Sequence, residues 1–184
     1  MIRITSGLLK GRRLEVVGKG VRPTMESVRE AIFSSLGGNC RGSRVLDLYA
    51  GSGSLGLEAW SRGASEVVFV EEDKQVAKQL KACICAFNDE ALSEAKVYSA
   101  EAIHWMQGAR GAFELILADP PYDMPNALEQ TLSAVAMNSL LREGGKLVYE
   151  SRASQQVEIP SGWNIEREKK YGKTKVLTLT QEKR

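Results

Sequence analysis

The residues of this chain best suited to chemistry stand in two short runs. The first is Asp47-Leu48-Tyr49-Ala50-Gly51-Ser52-Gly53-Ser54-Leu55-Gly56, in which Gly51, Gly53 and Gly56 satisfy G-x-G-x-x-G. Glycines allow a tight turn from strand to helix and let a ligand approach the backbone closely. Alone the pattern is common. Here it follows a short apolar strand-like run and precedes helical spacing, the context that gives it meaning. Glu71 lies twenty positions after Gly51 and is followed by Glu72. That is the spacing at which an acid bonds ribose hydroxyls. An adenosine-type cofactor is expected, and nicotinamide dinucleotide and S-adenosylmethionine both fit to this point. Asp47, four residues before the first glycine, favours the second. A carboxylate there crowds a pyrophosphate and suits a cationic cofactor.

The second run is Asp119-Pro120-Pro121-Tyr122, directly after the apolar stretch Leu115–Ala118. Two prolines fix φ and donate no hydrogen bonds, so their carbonyls stay available as acceptors. An aromatic beside them can stack on a flat base. The exocyclic amine of a base is a poor nucleophile, because its lone pair is delocalised into the ring. Asp119 and the Pro120 carbonyl together can accept its N–H bonds, orient it and localise that lone pair. The reaction expected is methyl transfer from a sulfonium to that amine, by positioning and electrostatics and with no metal. Asp119 is also placed to take the released proton.

These runs need a scaffold that brings strand ends together. Val45–Tyr49, Val67–Val70, Val97-Tyr98, Phe113–Ala118 and Lys146–Glu150 read as strands. Helical spacing separates them: Ser54–Arg62, Val76 to Phe87, Ala102–Met106, and Leu128 to Val135 with Gly144-Gly145 closing it. Ile165–Lys169 and Lys175–Thr180 read as a final antiparallel pair. Repeated strand–helix units predict an α/β protein with a doubly wound, mostly parallel sheet. Ligands then bind beyond the carboxyl ends of the strands. Before this unit, Ile2–Thr5 and Leu14–Val17 predict a small hairpin, followed by a basic linker to Thr24. Thr24 is the expected N-cap of a helix carrying Val28, Ile32 and Leu36. The division expected is 1–24, hairpin and linker, and 25–184, one compact unit.

The net charge of +2 conceals an asymmetry: residues 1–24 carry +5, residues 164–184 carry +4, and the stretch between carries −7. Basic ends that meet in space make a surface suited to phosphate. No apolar run reaches the ~20 residues of a membrane helix, and the N-terminus lacks the features of a signal peptide, so a cytoplasmic location is expected. Cys40, Cys83 and Cys85 with one histidine, His104, argue against a disulfide framework or a zinc site. Phe33, Trp60, Phe69 and Phe87 are expected in the core. Trp105 is open to either a cofactor or a packing role.

These motifs resemble the amino-group class I methyltransferases, and more narrowly the RsmD family of bacterial 16S rRNA guanine-N2 methyltransferases. The resemblance runs from Ile2-Arg3-Ile4 and Gly11–Leu14 through Arg22-Pro23-Thr24 and Val28-Arg29-Glu30. It continues through Val45–Gly56, Leu57-Glu58-Ala59, Ser61-Arg62-Gly63-Ala64 and Asp119–Tyr122 to Lys170-Tyr171-Gly172. It implies a seven-stranded Rossmann-like sheet and S-adenosylmethionine as cofactor, with S-adenosylhomocysteine as product. By that resemblance Asp47, Tyr49 and Ala50 through Gly53 (Ala50, Gly51, Ser52, Gly53) line the methionine end. Glu71 and Glu72 take the ribose side, and Glu101 and Ala102 lie near the adenine, Glu101 standing where the family usually has aspartate. Asp119, Pro120, Pro121 and Tyr122 bind the target guanine. Arg22 and Thr24 lie near the mouth, and Arg29 is among the nucleic-acid contacts. Lys10, Arg12, Arg13, Lys170, Tyr171 and Lys173 meet the RNA. The implied partner is an assembling small ribosomal subunit; a monomer is expected, since nothing in the sequence suggests an extended oligomer interface. An adenine-N6 methyltransferase, a nicotinamide-dependent oxidoreductase and a non-catalytic RNA-binding module are the alternatives.

Overall fold

The alternation of apolar runs with amphipathic stretches becomes a sheet covered on both faces. The computed structural model describes residues 2–14, 25–87, 92–124 and 126–182. A two-stranded ribbon, β1 (Ile2–Arg3) and β2 (Arg13–Leu14), precedes α1 (Glu26–Ser35). Then follow β3 (Arg44–Leu48), α2 (Ser54–Ser61), β4 (Glu66–Glu71), α3 (Lys74–Ala86), β5 (Glu94–Ser99) and α4 (Ala102–Gly108). The chain continues through β6 (Phe113–Ala118), α5 (Ala127–Met137), β7 (Leu141–Arg152), β8 (Trp163–Tyr171) and β9 (Thr174–Gln181).

Seven strands form one sheet in the order β5-β4-β3-β6-β7-β9-β8. β5, β4, β3, β6 and β7 are mutually parallel, and β9 runs antiparallel to both its neighbours. From β3 the chain winds outward to β4 and β5, then returns to start β6 on the other side. The switch between β3 and β6 opens the crevice where such sheets bind ligands.

Alternate side chains of each strand point to opposite faces, and two core clusters result. Val45, Val67, Phe69, Leu115 and Leu117 pack with α1, α2 and α3. Leu46, Leu48, Val68, Val70, Ile116 and Ala118 pack with α4 and α5. Phe33, Trp60, Phe69 and Phe87 are all buried, as their spacing predicts. Asp47 occupies a position between these apolar residues, on the face toward α2.

The ribbon is docked onto α2 by a buried acid. Glu58 is fully buried and accepts from Thr5 N–H at 3.0 Å, Ser6 N–H at 3.1 Å, Thr5 Oγ1 at 2.5 Å and Arg62 Nε at 2.9 Å. The last turn of the helix joins in, with Leu8 N–H on the Ser61 carbonyl at 2.8 Å and Leu9 N–H on Ser61 Oγ at 2.9 Å. Gly7 has φ +82°, and a Cβ there would lie 1.8 Å from the Ser61 carbonyl oxygen, so glycine is required. Ile2, Ile4 and Leu9 enter the same core as α1 and α2.

Several expectations are corrected. Gly144-Gly145 do not close the fourth helix of the strand–helix series. α5 ends at Met137, where Asn138 Nδ2 donates to the Ala134 carbonyl at 2.8 Å. The glycine pair lies inside β7, where the register against β6 shifts. Gly144 has φ +74°, and a Cβ on Gly145 would meet the Arg142 carbonyl at 2.9 Å. A glycine pair within a strand pattern marks such a bulge. β7 therefore starts at Leu141 rather than Lys146. In α1 the N-cap position is Met25, with no side-chain cap, and Thr24 lies outside the described residues. The described hairpin pairing is Ile2↔Leu14 and Arg3↔Arg13, and residues 15–17 of the expected second strand lie outside the described residues.

Candidate active site

The loop from β3 to α2 is built on left-handed backbone. Gly51 (φ 53°) and Gly53 (φ 74°) adopt it, and so does Tyr49 (φ 58°), a conformation that costs a side-chain-bearing residue of order 1–3 kcal/mol. Tyr49 is held there by its hydroxyl, 3.0 Å from Thr131 Oγ1 on α5. Ala50 N–H donates to the Val70 carbonyl at 2.9 Å, and Gly53 N–H to the Ala50 carbonyl at 2.7 Å. A Cβ on Gly56 would lie 2.3 Å from Phe69 Cε1 and 2.7 Å from Asp47 Oδ2, so the first turn of α2 sits directly on β3 and β4. This is the close helix–sheet packing that the last glycine of the motif serves.

Carboxylates converge on this loop. Glu71, half-buried at the end of β4, accepts from Gly51 N–H at 2.7 Å through Oε2 and from Asp73 N–H at 2.8 Å through Oε1. Asp47, 2% exposed, accepts from Gly56 N–H at 2.8 Å. Burial holds the Asp47 carboxyl well above the ordinary range; the Gly56 bond lowers it, and the charges of Asp119 and Glu71 raise it further. Glu101 caps α4, accepting from Ile103 N–H at 2.8 Å and His104 N–H at 2.7 Å. Its charge reaches Tyr49, whose hydroxyl is raised by burial first and then by Glu101. Ala102 is buried behind that cap, and Glu72 is exposed beside Glu71. A crevice ringed by acids, with a desolvated Asp47 at its base, fits a cationic adenosine cofactor. It disfavours an anionic pyrophosphate. S-adenosylmethionine fits that set of acceptors: Glu71 keeps a lone pair on each oxygen beyond its two backbone bonds, and Asp47 and the Ala50–Gly53 backbone stand at the same end of β3.

The second run stands one strand away. Asp119 follows β6 half-buried, Pro120 is buried, and Pro121 and Tyr122 are exposed. Met124 N–H takes the Pro121 carbonyl at 3.0 Å, which closes the turn. Among the described residues no donor takes the Pro120 carbonyl. Tyr149, opposite Ala118 in β7, is buried, and its hydroxyl is raised by burial first, then by Tyr49 and Asp119. Tyr49 and Asp119 thus both lie near enough to Tyr149 for their charges to act on it. Thr131 and Tyr149 escaped sequence reasoning, because nothing in their local spacing tells them from packing residues.

The expected RNA-contact residues separate into groups. Lys10, Arg12 and Arg13 are exposed on the ribbon, and Lys170 and Lys173 are exposed at the β8–β9 turn. Tyr171 is half-buried and packs on the core cluster that also holds Ile2, Ile4 and Leu9. Arg22 and Thr24 lie outside the described residues. Arg29 is a correction: it is 2% exposed, donates to the Arg3 carbonyl at 2.7 Å and lies 4.0 Å from Glu58. Its place on the inner face of α1 makes it part of the ribbon's anchorage rather than a surface contact. Trp105 packs against Tyr98, ring centres 5.4 Å apart, and His104 is exposed.

The sheet, with its acids and its Asp-Pro-Pro-Tyr corner at neighbouring strand ends, and the relatives that share it place the chain among the class I methyltransferases dependent on S-adenosylmethionine. The family model described as Conserved hypothetical protein 95 matches residues 2–180, and the chain belongs to that family. It is 34% identical over 174 residues to Ribosomal RNA small subunit methyltransferase D of Haemophilus influenzae, covering 93% of this chain and 89% of that one. It is 32% identical over 173 residues to the protein of the same name from Escherichia coli strain K12, covering 93% and 85%. Among solved structures, yhhF from Escherichia coli superposes with a TM-score of 0.86 at 31% identity, over 98% of each chain. The resemblance read from the motifs is borne out over the same span.

Proposed function

We propose that the chain methylates the exocyclic N2 of a guanine in 16S ribosomal RNA, acting in the cytoplasm as a monomer on an assembly intermediate of the small ribosomal subunit. The observation that carries the chemistry is the corner after β6. A half-buried carboxylate and a carbonyl untaken among the described residues stand side by side there, with an exposed aromatic two residues on. The names of the curated relatives support the RNA substrate.

S-adenosylmethionine, when bound, supplies an electrophilic methyl group on a sulfonium that leaves as a neutral thioether. The chain's own residues do the rest. Asp119 and the Pro120 carbonyl accept the two N–H bonds of the amine, fix it and turn its lone pair toward the methyl. Tyr122 stacks on the base, which must be unstacked from its neighbours to reach the corner. The amine loses one proton as the N–C bond forms, and Asp119 accepts it. Pro121 contributes stiffness only.

The test is transfer of labelled methyl from S-adenosylmethionine to small subunits from cells lacking this gene, with naked 16S rRNA and duplex DNA alongside. Nucleoside mass spectrometry reads the product. N2-methylguanosine, mainly in subunits, is the expected result. N6-methyladenine, or label in DNA alone, overturns the guanine and ribosomal parts and leaves the amine clamp.

A further inference from the structure

We propose that Arg152 binds the phosphate of the target nucleotide and thereby seats the base against Tyr122; this rests on the RNA substrate proposed above. Arg152 is the last residue of β7, the strand beside β6, so it stands at the same sheet edge as the Asp119–Tyr122 corner. Its guanidinium carbon lies 5.1 Å from the centre of the Tyr122 ring. Both side chains reach solvent, Tyr122 being 39% exposed. Among the described residues no carboxylate pairs with Arg152.

The backbone beneath it is fixed. Arg152 pairs with Thr174 in β9, and Ala153 N–H donates to the Lys173 carbonyl at 2.8 Å. The β8–β9 turn, with Lys170 and Lys173, is thereby tied to the residue that touches the catalytic aromatic. A cation held by a strand end keeps its position while its side chain can turn from ring to ligand.

Electrostatics requires a cation there. The crevice holds Glu71 and Asp119, whose charges both reach Asp47. An RNA backbone that delivers a base into this acidic mouth meets repulsion unless a positive group lies between. The phosphate of a flipped nucleotide is one sugar away from its base. A guanidinium lying on the ring that receives the base is therefore within reach of that phosphate. A guanidinium also suits both duties, stacking flat on an aromatic and binding phosphate through paired N–H groups.

The experiment compares the parent chain with Arg152→Gln and Arg152→Lys on small ribosomal subunits, varying RNA concentration and KCl, with melting and S-adenosylmethionine binding as checks of the fold. Arg152→Gln keeps a planar amide for the ring and removes the charge. It is expected to raise KM for RNA about tenfold, with the effect on KM rather than kcat. It should also make the slope of log(kcat/KM) against log salt shallower by about one. Arg152→Lys restores most of the KM. An unchanged KM and salt slope in Arg152→Gln overturns the proposal, and so does Arg152→Lys, which keeps the charge, showing the same shallow salt slope as Arg152→Gln. A parent chain inactive on every RNA brings down the substrate reading and this proposal together, whereas an active parent matched by Arg152→Gln strikes Arg152 alone.

Discussion

The Glu71 carboxylate joins the two walls of the cofactor crevice to each other: one oxygen accepts Gly51 N–H at 2.7 Å, the other Asp73 N–H at 2.8 Å. The acid at the end of β4 therefore shapes the glycine loop, besides the ribose-binding role proposed for it. Each hydrogen bond to a charged group contributes about 1.5–3 kcal/mol. Glu71→Ala should weaken S-adenosylmethionine roughly tenfold to a hundredfold, read by calorimetry. Unchanged affinity would remove Glu71 from the site.

Asp47 gives a pH signature. Burial raises its carboxyl well above the unfolded value, so its protonated form adds stability that is full below about pH 4 and is lost as pH rises through the native value. Asp47→Asn keeps an oxygen for Gly56 N–H and carries no charge. The cofactor-free variant should melt higher than the parent at neutral pH, with the difference vanishing in acid. Its affinity for S-adenosylmethionine should fall, while the parent's rises with pH as Asp47 ionises. A variant less stable than the parent at neutral pH would contradict this.

The ribbon's anchorage is a buried charge network. Glu58→Gln would leave Arg62 and Arg29 facing a neutral amide whose N–H groups oppose those of Thr5 and Ser6. Removing one partner of a buried pair costs about 3–5 kcal/mol, and urea unfolding should show a loss of that order. Trypsin should then cut faster at Lys10, Arg12 and Arg13, since opening of the ribbon becomes easier. Equal stability and equal cleavage would contradict the anchoring role.

Much of this was legible in the sequence because it is local. The glycine loop, Glu71 and Asp119–Tyr122 each announce themselves by spacing, and the strand ends that carry them follow from apolar periodicity. What escaped is what the sheet brings together from afar. Glu58 is a lone acid in the apolar helix Leu55–Trp60, a signal in itself, but its partners Thr5 and Ser6 lie more than fifty residues earlier. Arg29 has a charged residue's usual look of exposure and is buried because the ribbon and Glu58 receive it. Arg152 and Tyr122 meet only because β7 lies beside β6. Gly144-Gly145 misled because a glycine pair ends a helix and bulges a strand equally well, and only the ladder against β6 distinguishes them.

The division of labour between Asp119 and Glu71 is decided by one paired measurement, single-turnover methyl transfer and S-adenosylmethionine affinity for Asp119→Ala and Glu71→Ala. Asp119→Ala should lose about 10²–10³ in turnover with its cofactor affinity nearly intact. Glu71→Ala should lose affinity and recover most of its turnover at saturating cofactor. If both variants lose only cofactor affinity, or if Asp119→Ala transfers methyl as fast as the parent chain, the amine-binding role of the Asp-Pro-Pro-Tyr corner is wrong.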